Sequence, residues 1–595
     1  SRSQHKSQGF GASSSRGEAF EYFKLTGGTE PRENLFDDVR TDWSRVKGGE
    51  KIEKMINQII EGFDFIQPQK SVPALTRLYR ELENMPMGYW RNRKLKEVQD
   101  LVESASGLFI ESFTTTPHAV QEDSVRLNFV VNSRLGAHTT LRAITGVDEQ
   151  FPSSNFSIGR DSLLPANRNF VSNITVAVKN KITQPYWLEE KMSPGYFNVN
   201  RQENIGEPDI QPGLEVLFKI KIEGQDFVFR KPVKYKFTHP VKGEVYQPLT
   251  VIPPANVLTS PEVLLFRKNQ PAHEPVMVQM NANKKIMAKS GEGHIRSSNY
   301  DQTKQEGAFT LNKSESKTYH FNLNSADMKN DQTDQLYGFV HYVNDGSDHS
   351  AYLAMRTISY DHIPTLNYFY ADGVSILHMD LKTHGKKVGY IIGAGDKVPE
   401  ALEQMGYEVT LLTDKELERN NLQQFDAIIS GVRAYNTNEW LNKYHDKLMK
   451  YVEEGGNLIV QYNTSNNIGP VRARIGPYPF NISRGRITDE TAEVRFLQPG
   501  HQVLNFPNKI TQKDFEGWVQ ERSIYHAAGY DTSFQAIFSI NDPGENADNG
   551  SLVISKYGKG YFTYTGLVFF RQLPAAVPGA YRLLANLIAL NRKKE

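Results

Sequence analysis

The spacing of apolar residues predicts helices first. Between Glu50 and Phe65, Ile52, Met55, Ile56, Ile59, Ile60 and Phe63 recur three and four residues apart, as on one face of an amphipathic helix. Val72 to Met85 repeats the pattern with Leu75, Leu78, Tyr79 and Leu82. Arg91 to Phe113 repeats it again with Leu95, Val98, Leu101, Val102, Leu108 and Phe109. Each segment has one apolar stripe and one charged face, which predicts a small helical bundle over residues 48–113, read as a spacer. From Thr114 the period shortens to two. Val125, Leu127, Phe129 and Val131 alternate with Arg126, Asn128, Val130 and Asn132, and Val216, Phe218, Ile220 and Ile222 alternate with Leu217, Lys219 and Lys221. Strands with one buried and one wetted face give this pattern, and several in succession predict a β-sandwich over 114–247. Pro248, Pro253 and Pro254 then favour an extended linker. A second sandwich is expected over 248–384, with alternating sets at Val276-Val278-Met280, Tyr319-Phe321 and Phe339-His341-Val343. The polar stretch Asn281 to Asn312 reads as a long hairpin or loop within it.

Past residue 385 the pattern changes once more. Short apolar runs (Val388 to Ile392, Tyr407 to Leu412, Phe425 to Ile429, Asn457 to Gln461) alternate with helical segments at Val398 to Met405 and about Thr437 to Glu454. Runs of this kind are parallel strands buried on both faces by crossover helices. The fold class expected is therefore multidomain α+β: a helical bundle, two β-sandwiches, and a doubly wound, flavodoxin-like α/β domain over 385–595. It closes on a helix from Pro578 to Leu590. Ligands of such sheets sit beyond the carboxyl ends of the strands. That rule singles out Asp396, Arg433, Asn436, Asn463 and Arg522 as ligand-binding candidates. An arginine and a carboxylate at a strand end can hold a sugar or carboxylate ligand in bidentate fashion. The same charges, with Gln520-Glu-Arg522, Arg486 to Glu490 and Arg571, can equally be ion pairs tying the excursion 465–550 onto the sheet, and that is the favoured reading.

A chain of 595 residues is too long for a single core. Its net charge of +1, without a clustered basic face, argues against a nucleic-acid partner. No apolar run reaches the length of a membrane span. The absence of cysteine excludes disulfides, thiolate metal sites and a cysteine nucleophile. The 15 histidines include none at the close spacings that place two imidazoles on one face, so no metal site is expected from them. Gly393-Ala-Gly395 after a strand, with Asp414 further on, invites comparison with a dinucleotide fingerprint. Its third glycine position is Val398, however, so a simple turn is the better reading. Exposed aromatics on sandwiches can stack on the apolar faces of sugar rings; Tyr186-Trp187, Tyr196-Phe197 and Tyr368-Phe-Tyr370 are candidates, or else core.

Near the amino end, His5-Lys6-Ser7-Gln8 resembles the H-x-S-Q segment late in the catalytic domain of the PIG-L (LmbE-like) zinc-dependent N-acetylglucosaminyl deacetylases. The whole chain is similar to the post-catalytic part of long multidomain members found in Bacteroidetes. The sandwiches resemble the NEW3-type modules appended to bacterial carbohydrate-active enzymes. The last domain resembles a degenerate class I glutamine amidotransferase-like domain. At the elbow where that superfamily places its cysteine, this chain reads Tyr462-Asn463-Thr464-Ser465. The family's H-P-D-D-E metal segment is absent, so residues 1–47 read as the tail of a deacetylase domain with His5 as a catalytic candidate. The resemblance implies that zinc belongs to an upstream domain, with no cofactor in this chain. It implies a non-catalytic role in substrate presentation and assembly, carbohydrate and the upstream domain as partners, and export to the periplasm or cell surface of a Gram-negative bacterium. Two alternatives stay open: a stand-alone carbohydrate-binding or envelope scaffold, and an amidotransferase-like hydrolase using Thr464 or Ser465.

Overall fold

The computed structural model describes residues 16–592 apart from 38, 41, 148–155, 160, 194, 209, 269–271, 328–331 and 466–473. It is a multidomain protein of mixed helix and sheet, and at 38% strand against 21% helix the strands dominate. His5 and its neighbours lie outside the described residues.

Three helices open the described chain, Glu50–Glu61, Val72–Glu83 and Tyr89–Ala105. The third ends earlier than its sequence pattern suggests. Gly107, at φ +61°, turns the chain, and Leu108–Thr114 becomes a strand paired antiparallel with Ser124–Ser133. A left-handed glycine just past a helix is a frequent terminator. Ile60 and Phe63, expected on the packed stripe, are 67% and 50% exposed, whereas Ile52 is buried. The helices do not form a free-standing bundle. Ile52, Leu75, Leu78, Val98 and Val102 share one core with Leu127, Phe129, Leu141, Val216, Phe218 and Ile220 of the strands that follow. A line drawn at residue 113 therefore runs through a strand and a common core.

Two sheets enclose that core. One has the order 243–248, 234–239, 108–114, 124–133, 170–177; the other is built on 139–146, 215–222 and 225–232. The proline-rich stretch is more than a linker, since Thr250–Ile252 pairs in parallel with His118–Val120. A second pair of sheets follows. Ala255–Ser260, His273–Ala282 and Ser316–Asn324 form one; Val263–Arg267, Gly373–Met379, Gln332–Asn344, Ile286–Arg296 and Asp301–Glu306 form the backbone of the other. The polar stretch 281–312 is thus mostly strand. In Gln332–Asn344 the alternation is real but faces the other way. Leu336, Val340 and Tyr342 point into the core, leaving Phe339, His341 and Val343 on the outer face.

The last unit is a seven-stranded sheet. Its strands in chain order are β1 (Lys387–Ile391), β2 (Glu408–Leu411), β3 (Ala427–Ser430), β4 (Asn457–Gln461), β5 (Phe534–Ala536), β6 (Leu552–Tyr557) and β7 (Gly560–Thr565). They lie in the order β2-β1-β3-β4-β7-β6-β5. The first five in that order are mutually parallel, and β6 and β5 extend the sheet antiparallel. Helix α1 (Val398–Gln404) packs on one face with the last helix, Pro578–Ile588. Helix α2 (Asp414–Arg419) and helix α4 (His445–Glu453) pack on the other, the latter through Leu448, Met449 and Val452. The long helix expected from Thr437 is broken into a four-residue turn α3 (Ala434–Thr437), a 3-10 segment Glu439–Tyr444, and α4. The winding reverses between β1 and β3, the position at which such sheets form a crevice.

Candidate functional site

At that crevice the loops after β1 and β3 bind each other. The Asp396 carboxylate accepts from Tyr390 Oη (2.6 Å) and Val398 N (3.1 Å) through Oδ1, and from Val432 N (3.2 Å) through Oδ2. Ala394 N donates to Val432 O at 2.8 Å. A β-carbon on Gly393 would fall 2.0 Å from Val432 O, so only glycine allows this approach. Asp396 is fully engaged as a tie, and the Gly393-Ala-Gly395 turn packs against protein. Asp414, its supposed ribose partner, accepts from Tyr444 Oη at 2.6 Å instead.

Two asparagines stitch the loops after β3 and β4. Asn436 accepts from Thr464 N at 2.8 Å and donates to Thr464 O at 3.1 Å. Asn463, fully buried, accepts from Tyr435 N at 3.0 Å and donates to Gln461 O at 3.1 Å. Both are braces. Thr464 is buried, and among the described residues its Oγ1 has no hydrogen-bond partner and so no activating base. Ser465 is exposed. Arg522 lies inside the protein, not in the crevice. Its guanidinium sits 5.9 Å from the Phe515 ring and 5.7 Å from that of Trp518, and it donates to Phe515 O and Ala492 O. Burial pushes its pKa down to about 10 against the pull of Asp489 and Glu490. Of the predicted ligand residues, Arg433 alone keeps an uncommitted side chain at the sheet edge: its Nε is buried without a partner among the described residues.

The structure adds a relay that spacing did not reveal. His526 Nε2 lies 2.8 Å from Ser523 Oγ, and Nδ1 lies 2.8 Å from Asp548 Oδ2, with the carboxylate oxygen off the ring N–H axis. The order matches a Ser–His–carboxylate relay. Ser523 and His526 are nevertheless fully enclosed; Ser523 is paired with Ile487 on one side and bridged to Leu567 on the other, so its hydroxyl meets no substrate. Only the Ser-x-x-His spacing was visible in the sequence, and alone it signals nothing. The remaining charges behave as ties. Glu521, completely buried, takes Arg486 Nε at 2.6 Å on one oxygen and Arg571 Nε at 3.1 Å on the other, fastening the excursion to the sheet.

Open, roomy sites lie between the sandwiches instead. A cleft of about 460 Å³ runs between the strand pair 234–248 and the hairpin formed by Leu353–Ile358 and Leu366–Ala371. On one wall the rings of Tyr235 and Phe237 are parallel, 4.9 Å apart and 16° inclined; they are two residues apart on one strand and so share a face. Tyr360, 62% exposed, stands on the other side. His118 is held below its usual pKa, first by burial and then by the charge of Lys313, and is neutral near pH 7. Lys242 and Asp361 pair at 3.0 Å across the mouth. A second cleft of about 560 Å³ carries Glu122, His349 and the exposed Tyr352. Of the aromatics proposed from sequence, Phe369 is core, while Tyr196 and Phe197 are exposed. Among the described residues no three His, Asp or Glu side chains are placed to hold a metal, and no helix is long and apolar enough to cross a membrane.

No family model and no curated protein matches the chain. Among solved structures it is similar to red sea bream transglutaminase at 11% identity, over 45% of this chain and 34% of that one, with a TM-score of 0.21. It is also similar to the fibronectin(III)-like modules of Clostridium thermocellum CbhA at 8% identity, over 47% of this chain and 97% of theirs, with a TM-score of 0.12. The chain thus spans about a third of the length of the transglutaminase it matches, and neither likeness bears on the sites.

Proposed function

We propose that this chain is the non-catalytic, carbohydrate-presenting portion of an exported PIG-L-like, zinc-dependent N-acetyl-sugar deacetylase. The observation that carries the binding role is the 460 Å³ cleft, where parallel Tyr235 and Phe237 rings face polar, mostly uncharged groups. A pyranose offers an apolar C–H face and a rim of hydroxyls, and rings flanked by a neutral imidazole and the Gln247 amide suit both. The deacetylase link rests on the His5-Lys-Ser-Gln8 segment and the domain-level resemblance. Phe20, Tyr22, Phe23 and Phe36 are all more than 60% exposed on residues that carry no core of their own, which suits an arm covered by a catalytic domain. Zinc would reside in that domain and would supply a polarised water; the residues described here do not fit it, and no chemical step is assigned to them.

Titrating the chain with N-acetylglucosamine oligosaccharides tests the binding role. Micromolar affinity that falls about tenfold or more in Tyr235→Ala and Tyr360→Ala is expected. Silence across a glycan array would leave assembly as the only role. Robust deacetylation by this chain with added zinc would overturn the non-catalytic reading.

A further inference from the structure

We infer that the carboxyl edge of the α/β sheet, around the guanidinium of Arg433, binds an anionic sugar, one carrying a carboxylate or a phosphate. This site is separate from the inter-sandwich cleft and does not depend on it.

Four observations converge there. The place is the reversal of the winding, where parallel sheets open a crevice. Arg433 lies in the loop after β3, bonded through its N–H to Tyr462 O at 2.8 Å. It forms no ion pair among the described residues, and its Nε is buried and unpartnered. A buried N–H donor without an acceptor is unfavourable, and a ligand oxygen would relieve it.

The backbone is strained at the same place. Arg433 has φ 59°, Gln520 φ 67° and Tyr525 φ 56°, all left-handed conformations that non-glycine residues seldom adopt. Such strain gathers at ligand sites, where the surrounding structure over-determines it. Here it presents side chains to one another. The Tyr525 ring lies parallel to that of Tyr462, at 5.7 Å and 12°, and Phe570 meets Tyr462 at 5.5 Å. All three rings are half-buried, leaving apolar edges at the surface.

The charge favours an anion. Arg571 lies over the Phe570 ring at 4.9 Å, and both Arg433 and Arg571 are within electrostatic reach of Tyr462. Of the nearby carboxylates, Glu521 is shared by Arg486 and Arg571, and Asp396 is tied to Tyr390 Oη and to the N–H groups of Val398 and Val432. Arg433 therefore has no ion-pair partner among the described residues. A planar guanidinium beside aromatic rings matches a carboxylate or phosphate on a sugar, the ring of which packs on the aromatic wall.

The test uses the full chain and isothermal titration with glucuronate, glucose 6-phosphate, glucose and inorganic phosphate. At least one anionic sugar should bind about tenfold or more tighter than glucose, and Arg433→Ala should abolish that difference while Arg433→Lys keeps part of it. Arg433→Gly, whose backbone accepts the left-handed conformation without strain, gives the same reading should the alanine variant fail to fold. The two anionic sugars separate a uronate site from a sugar-phosphate site, and either result supports the inference. Equal affinity for glucose, unchanged affinity in Arg433→Gly, or inorganic phosphate binding as tightly as glucose 6-phosphate while glucuronate is silent would each overturn it.

Discussion

Asp548 Oδ2 stands 2.8 Å from His526 Nδ1, at the partly open end of a relay whose other two members are fully enclosed. Burial alone would raise the Asp548 pKa. The His526 contact, its charge, and the bond from Gly550 N at 2.7 Å outweigh burial and hold the carboxyl below the ordinary aspartate range. A depressed carboxylate favours folding above the unfolded-chain pKa of about 3.9, and that contribution is lost as pH falls through the lower folded value. Hydrogen exchange in Leu552–Tyr557 is therefore expected to quicken as pH drops below about 4, after correction for the intrinsic rate. Asp548→Asn should flatten that dependence. An unaltered acid profile in the asparagine variant would show that another carboxylate controls it.

Glu521 is the fastening of the excursion. Replacing it with alanine leaves Arg486 and Arg571 without their shared buried anion. Stranding one side of a buried pair costs about 3–5 kcal/mol, and the lower end applies because both arginines reach solvent. Urea unfolding of the domain should show that loss, with Arg486→Ala costing about 1 kcal/mol or less. Equal losses for both variants would contradict the assignment of Glu521 as the hub.

Arg522 is predicted to serve structure, not ligand. Its removal leaves the carbonyls of Phe515 and Ala492 unpaired and opens the space between Phe515 and Trp518. Arg522→Ala should destabilise the domain by about 2–4 kcal/mol while sugar titrations stay unchanged at equal folded fraction. Lysine will not restore it, because a single ammonium cannot span both carbonyls and stack on the rings.

Gly393→Ala forces a methyl group onto Val432 O. The loops after β1 and β3 must part, and a loss of about 2 kcal/mol or more is expected, read as a lower melting temperature. The same variant should also weaken anionic-sugar binding, because Arg433 follows Val432 directly.

What the sequence disclosed, and what it hid, follows from range. Buried parallel strands are continuous apolar runs, so β1 to β4 and the residues on their carboxyl ends were legible from local pattern. Partnership was not. Asp396, Asn436 and Asn463 stand where ligand residues belong, yet each is consumed by a neighbour across a loop, a fact that depends on backbone atoms dozens of residues away. Arg522 carried the same charge signal as Arg433, and only burial tells them apart. The helix expected through Phe113 failed because Leu108 and Phe109 fit a helical stripe and a strand equally well; Gly107 and the partner strand made the choice.

The centre of the sheet has one further consequence. Strand β7 lies parallel to β4, Asn457 opposite Tyr561, and the whole excursion with β5 and β6 comes between them in the chain. Local hairpins can form early, but this pairing closes a very long loop and must wait. On a ribosome β4 emerges with its neighbour still unsynthesised, presenting an apolar strand edge. The chain is at its most vulnerable to aggregation in that interval, and a chaperone would be needed then more than at any later stage.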